Sequence, residues 1–135
     1  MAADDAREPI PHSEAWVGIV DDDASVRTAL ARALRSHGIR AETFASGEDY
    51  LDRSITGTPE CLVLDIHLGG MSGLELQALL GSLRADPAII FITGHDDLLS
   101  QRSRIESASG YLRKPFATSA LLALLLPHLA AALLD

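Results

Sequence analysis

The chain of 135 residues has one cysteine and one lysine. A single cysteine excludes an internal disulfide and fits a reducing cytoplasm. That residue, Cys61, sits in an apolar run, so it reads as a small core residue rather than a reactive thiol. Clustered positive charge is also missing. A formal net charge of −8 argues against a nucleic-acid surface, which needs basic residues grouped against phosphate. No apolar run reaches the roughly 20 residues that a membrane span requires. The longest candidate, 120–134, is interrupted by Pro127 and His128. The N-terminus lacks the basic and apolar regions of a secretory signal, and we expect a cytoplasmic protein. Residues 1–14 are polar and acidic with two prolines, so they read as a flexible tail ahead of one domain over 15–135. The histidines His12, His37, His67, His95 and His128 match no zinc-ligand spacing. Internal repeats and low-complexity linkers are absent.

The length suits a single domain, and 47% hydrophobic residues suffice for its core. The run Trp16-Val17-Gly18-Ile19-Val20 is apolar throughout and breaks into Asp21-Asp22-Asp23. Such a run reads as a strand buried on both faces of a parallel sheet. Cys61-Leu62-Val63-Leu64 stops at Asp65, and Ala88-Ile89-Ile90-Phe91-Ile92 stops at Thr93. A shorter run, Tyr111-Leu112-Arg113, precedes Lys114-Pro115. In a parallel sheet these four ends share one rim, where ligands of open α/β sheets bind. Several carboxylates gathered there need a counter-charge, and a hard divalent cation such as Mg²⁺ suits their oxygens. Lys114 is the only lysine beside ten arginines, which suggests a compact charge on a flexible stem.

Helical patterns alternate with these runs. Val26, Ala29, Leu30, Ala33 and Leu34 form a helical stripe over 25–37, with Gly38 as its stop. Residues 39–44 read as a strand with Phe44 inward, and Ser46 caps a short helix through Leu51. Residues 74–83 are helical. Residues 95–109 hold a weak helix, because four serines lower its propensity. The last helix starts near Thr118, and Pro127 is expected to kink or end it. Its leucines surround it almost completely, which predicts an exposed apolar stripe and a homodimer or a partner contact there. Trp16 is expected to pack at an edge. The pattern is five strands alternating with five helices.

Assembled in order, these residues resemble the receiver domain of bacterial two-component response regulators, over roughly residues 16–126. Val20-Asp21-Asp22-Asp23, Asp65 with Met71-Ser72-Gly73, Ile92-Thr93-Gly94 and Lys114-Pro115-Phe116 carry the resemblance. The wording around Thr93 and Lys114 is most like receivers that precede a DNA-binding output domain. The resemblance implies a doubly wound, flavodoxin-like α/β fold with five parallel strands in the order 2-1-3-4-5. It also implies that a sensor histidine kinase transfers a phosphoryl group to Asp65. Mg²⁺ would be held by Asp22, Asp65 and the His67 carbonyl, and by Asp21 through water. Thr93 and Lys114 would meet the phosphoryl oxygens, and Thr93 and Tyr111 would carry the conformational switch. His67 and His95 would tune the lifetime of the aspartyl phosphate. The only chemistry implied is autocatalytic phosphotransfer and dephosphorylation, without an external substrate.

The chain departs from that family in places. Gly69 stands where the family has proline, and Gly70 follows, which leaves the loop freer. The segment from Thr93 to Lys114 is about one residue short and ends Ser107-Ala108-Ser109-Gly110, so the fourth helix is expected to be short and its face not to dimerise in the common way. No DNA-binding helix pair is present, so the expectation is either a single-domain regulator or an output domain beyond residue 135. Two other functions compete. One is a Mg²⁺-dependent phosphohydrolase with Asp21 as nucleophile, Asp23 as its second acid and Lys114 assisting. The other is a degenerate receiver that acts only as an interaction module. Asp23 also reads as a helix cap.

Overall fold

The computed structural model describes residues 15–53, 57–83, 87–94 and 108–134. Within them, β1 (Trp16–Val20), β2 (Arg40–Phe44), β3 (Cys61–Asp65), β4 (Ala88–Thr93) and β5 (Gly110–Arg113) form one sheet. All pairings are parallel and the order is β2-β1-β3-β4-β5. This is the expected doubly wound, flavodoxin-like arrangement. The described helices are α1 (Ala24–Ser36), α2 (Gly47–Arg53), α3 (Gly73–Ser82) and α4 (Thr118–Leu134). The tail over 1–14, His95 and most of the expected weak helix lie outside the described residues.

Successive strand side chains point to opposite faces, so each apolar strand feeds two core layers. Val17, Ile19, Val63, Ile90 and Ile92 pack with Leu30 and Leu34 of α1 and Leu121 and Leu125 of α4. Val20, Leu62, Leu64 and Phe91 pack with Tyr50 of α2 and Leu74, Leu76 and Leu80 of α3. Each fully buried aliphatic side chain contributes roughly 1.5–3 kcal/mol. Cys61 is buried within this core, and burial pushes its thiol up to about 12.

The helix starts are set by side chains. The Asp23 carboxylate accepts from the Ser25 and Val26 N–H groups at 2.8 and 3.4 Å, so Asp23 caps α1. Ser46 accepts from the Asp49 N–H at 3.0 Å and starts α2. Ser72 and Glu75 form a reciprocal capping box that starts α3.

Three expectations are corrected. Trp16 is not at an edge: β1 lies between β2 and β3, and the buried indole packs 6.4 Å from the Phe44 ring. Pro127 does not end the last helix, which continues to Leu134. Leu125 and Leu129 are buried on either side of it, and their burial outweighs the one hydrogen bond that proline removes. The apolar stripe on α4 is also narrower than expected. Leu121, Leu125 and Leu129 are buried, and Leu122 and Leu124 pack against the core. Among its described leucines only Leu126 is well exposed, at 50%.

Candidate functional site

Register brings the sequence-predicted residues together. Val20 pairs with Leu64, so the next residues, Asp21 and Asp65, are neighbours at the carboxyl ends of β1 and β3. Asp65 pairs with Ile92, which sets Thr93 one residue further along β4. Thr93 pairs with Arg113, and the following Lys114 N–H donates to the Thr93 carbonyl at 2.7 Å. The rim is closed on its other side by the Asp21 N–H, which donates to the Phe44 carbonyl at 3.2 Å. The Lys114–Pro115 peptide is cis.

The side chains converge on one charge. Lys114 Nζ donates to Asp21 Oδ2 at 3.0 Å and to Asp65 Oδ2 at 3.1 Å. The second oxygens are held by backbone: Asp23 N–H donates to Asp21 Oδ1 and His67 N–H to Asp65 Oδ1, both at 2.9 Å. Arg27 Nη1 also donates to the Asp21 carbonyl at 2.7 Å, which steadies the turn between β1 and α1. Asp21 and Thr93 are fully buried, Asp65 is 5% exposed and Asp22 is exposed. Asp21, Asp22, Asp65 and Lys114 line a cavity of about 460 Å³ together with Asp23, His67, Leu68, Gly69 and Gly94.

Burial raises the Asp65 carboxyl above the usual carboxylate range, and the charge of Asp21 adds to it. The His67 N–H and Lys114 act the other way and do not cancel it. Burial alone would lower the Lys114 ammonium, but its bonds to Asp21 and Asp65 hold it above its ordinary value. One carboxylate oxygen from each of Asp21, Asp22 and Asp65 lies within 4.8 Å of the others. Three hard oxygen donors at that spacing fit a small divalent cation. Tyr111 on β5 stands apart from this group and is 51% exposed. His95 is outside the described residues.

The fold and this rim define a class: a small α/β domain whose strand-end acids and single lysine line one cavity. Comparison with known proteins narrows it. Residues 17–126 match the response regulator receiver domain. The chain is 39% identical over 111 residues to nodulation protein W of Bradyrhizobium diazoefficiens, covering 82% of this chain and 49% of that protein. It is 42% identical over 103 residues to the DNA-binding transcriptional regulator NtrC of Klebsiella pneumoniae, covering 76% and 22%. Among solved structures, a response regulator receiver protein from Burkholderia phymatum is 37% identical, with a TM-score of 0.74, covering 87% of this chain and 96% of that one. The FixJ-N crystal structure is 30% identical, with a TM-score of 0.78, covering 87% and 94%. The chain belongs to the response-regulator receiver-domain family and is a receiver domain of two-component signal transduction. It spans about half of the length of nodulation protein W and less than a quarter of that of NtrC. No described helix is long and apolar enough to cross a membrane.

Other residues hold the site from outside the cavity. Ser72 and Glu75 start α3, and their Ser72-x-x-Glu75 spacing is a readable capping-box signal. The first residue of α3, Gly73, lies so close to β3 that a Cβ there would fall 2.3 Å from the Asp65 carbonyl oxygen. Glu48 of α2 reaches across to accept a hydrogen bond from the Met71 N–H at 3.1 Å. Neither of these last two contacts has a local sequence signal.

Proposed function

We propose that Asp65 accepts a phosphoryl group from the phosphohistidine of a sensor histidine kinase. The observation that carries this is the Lys114 ammonium lying between Asp21 and Asp65 at 3.0 and 3.1 Å on the strand-end rim. A carboxylate that attacks an anionic phosphoryl group must have that group's charge offset, and a positioned ammonium does so. Mg²⁺ is the cation the donors suit. Asp22, Asp65 and the His67 carbonyl would hold it, and its charge would stabilise the equatorial oxygens in transfer. Asp21, Asp22 and Asp65 each offer a carboxylate oxygen within 4.8 Å of the others. Asp21, fully buried beside Asp65, would act on the ion through water.

Thr93 is buried at the end of β4 and would donate its hydroxyl to one phosphoryl oxygen. Movement of Thr93 would free space for the exposed Tyr111 ring to turn inward, a two-state element biased by a local charge event. His67 lines the cavity and His95 follows Thr93 by two residues, so both would tune hydrolysis of the aspartyl phosphate. The domain over 15–135, behind a tail of 14 residues, would work in the cytoplasm on an output domain or partner protein. It would have no nucleic-acid surface of its own and no external substrate. A homodimer through α4 would rest on Leu126 and its neighbours.

The test is acetyl phosphate with and without Mg²⁺, followed by intact and peptide mass spectrometry. The expected result is a Mg²⁺-dependent adduct on Asp65 that is lost in Asp65→Asn. An adduct on Asp21 would instead indicate the phosphohydrolase. That reading is disfavoured because the Asp23 carboxylate it needs is committed to capping α1. No adduct in the presence of Mg²⁺ would leave an interaction module.

A further inference from the structure

The loop between β3 and α3 carries His67, and its anchoring is uneven. Its start is tied by the His67 N–H to Asp65 Oδ1 at 2.9 Å. Its end is tied by the Gly73 N–H to the Ile66 carbonyl at 3.0 Å and by the Ser72–Glu75 box. Between these ties stands Gly69-Gly70, the pair of residues that restricts a backbone least. A Cβ on Gly69 would meet nothing within 4 Å, so its surroundings do not demand glycine. Leu68 and Met71 pack against the core on either side, but the glycine pair between them has no side chain with which to do so.

A contact from another element holds this stretch. Glu48 Oε2 accepts from the Met71 N–H at 3.1 Å, across 23 residues of sequence. The same carboxylate stands against Gly70, which has φ +74: a Cβ there would fall 3.0 Å from Oε2. The Met71 sulfur adds an apolar tie to α2, 3.3 Å from where a Cβ on Gly47 would lie. The carboxylate and the thioether together fasten the middle of the loop to the first turn of α2.

The geometry points to Glu48 as a positioning residue of this site, whose hydrogen bond to the Met71 N–H holds the 67–71 loop and with it the His67 carbonyl. Glu48 touches no reacting atom. The inference rests on the proposed role of Asp65 and His67 in holding Mg²⁺. Two effects of Glu48 must be separated, because its negative charge alone would also attract a cation. Glutamine separates them: its amide oxygen accepts the same N–H without the charge.

The experiment is a calorimetric Mg²⁺ titration of the 135-residue chain in wild type, Glu48→Ala and Glu48→Gln, with a thermal melt of each. Glu48→Ala is expected to weaken Mg²⁺ binding about fivefold, the size of one lost hydrogen bond, while Glu48→Gln stays within about twofold of wild type. The melt of Glu48→Ala should fall by no more than a few degrees, because the lost hydrogen bond is exposed. Equal weakening in both variants would assign the effect to charge and overturn the positioning role. No weakening in either would overturn it too. A wild type that takes up no Mg²⁺ would overturn the metal reading beneath it, and is told apart because all three titrations are then flat.

Discussion

Substituting Gly73 with alanine tests the most crowded contact near the site. The added methyl would fall 2.3 Å from the Asp65 carbonyl oxygen, 3.0 Å from the Ile66 Cα and 3.1 Å from the Asp65 carbonyl carbon. All three are backbone atoms, and real Cβ contacts essentially never come under 3.0 Å, so the oxygen and the methyl must separate by at least about 0.7 Å. The backbone of β3 resists, because Asp65 is paired with Ile92 and the Ile66 N–H donates to the Ile92 carbonyl at 3.0 Å. Alanine gains up to about 1 kcal/mol of helix propensity over glycine. Overpacking costs about 1–3 kcal/mol and wins here, because the neighbours are backbone rather than flexible side chains. With the propensity gain of about 1 kcal/mol subtracted, the expected net loss of stability is about 0–2 kcal/mol. Function should suffer more. Reactive groups need placement to within roughly 0.5 Å, and a 1 Å error costs on the order of 100-fold. Labelling of Asp65 by acetyl phosphate should fall about 10- to 100-fold at saturating Mg²⁺. Gly69→Ala is the paired control for stability, since nothing lies within 4 Å of its methyl, and it should keep the wild-type denaturation midpoint. Chemical denaturation and the labelling rate read both quantities. A Gly73→Ala protein with wild-type midpoint and wild-type rate would refute the reasoning.

Alkali should unfold the protein early. Burial lifts the Cys61 thiol from 9.0 to about 12, with Glu60 adding to it, and lifts the Tyr50 hydroxyl from 10.0 to about 12. The unfolded chain releases these protons first, so their stability is full below pH 9 and is lost as pH rises from about 9 to 12. Lys114, held above 10.5, acts in the same direction. Cys61→Ala should move the onset up towards the ordinary tyrosine value of 10.0 in a pH-dependent melt, and an unchanged onset would remove Cys61 from the account. Leu126→Asp, at a side chain 50% exposed, should change stability by no more than about 0.5 kcal/mol. Light scattering at high micromolar concentration should then show any α4-mediated dimer dissociated, and a dimer that persists would exclude this helix as its interface.

The rim was legible because strand ends and chemistry coincide in the sequence. Apolar runs that stop at Asp21, Asp65 and Thr93 announce buried parallel strands, and parallel pairing places all their carboxyl ends together. Lys114 was legible for a different reason, as the one lysine beside ten arginines. What escaped depends on three-dimensional approach. Gly73 stands in the Met71-Ser72-Gly73 motif, but only the packing of α3 on β3 shows why it has no side chain. Glu48 looks like a solvated acid in a first turn until the loop folds back on it. Pro127 misled because local propensity argues for a break, while the buried leucines at 125 and 129 keep both halves of α4 on the same core.

The single lysine also follows from the charges. With the Asp23 carboxylate committed to capping α1, Asp21, Asp22 and Asp65 bring three formal negative charges to the ion's place, and Lys114 returns one. The remaining two match a divalent cation, which would bring the set to formal neutrality before any phosphoryl group arrives. In the proposed reaction the incoming oxygens then add negative charge beside Asp65, and the ammonium must shift towards them from its place between two carboxylates. Lys114 Nζ sits 3.0 and 3.1 Å from those carboxylates on a flexible stem, so a small rotation moves it from one partner to the next. An arginine fork would bind a carboxylate in two parallel bonds and resist that movement. Its five donors would also need partners in a space where Asp21 is fully buried and both its oxygens are already engaged. A compact charge that can redistribute among acceptors is what the proposed reaction would require, and among the basic residues of this chain only Lys114 is built that way.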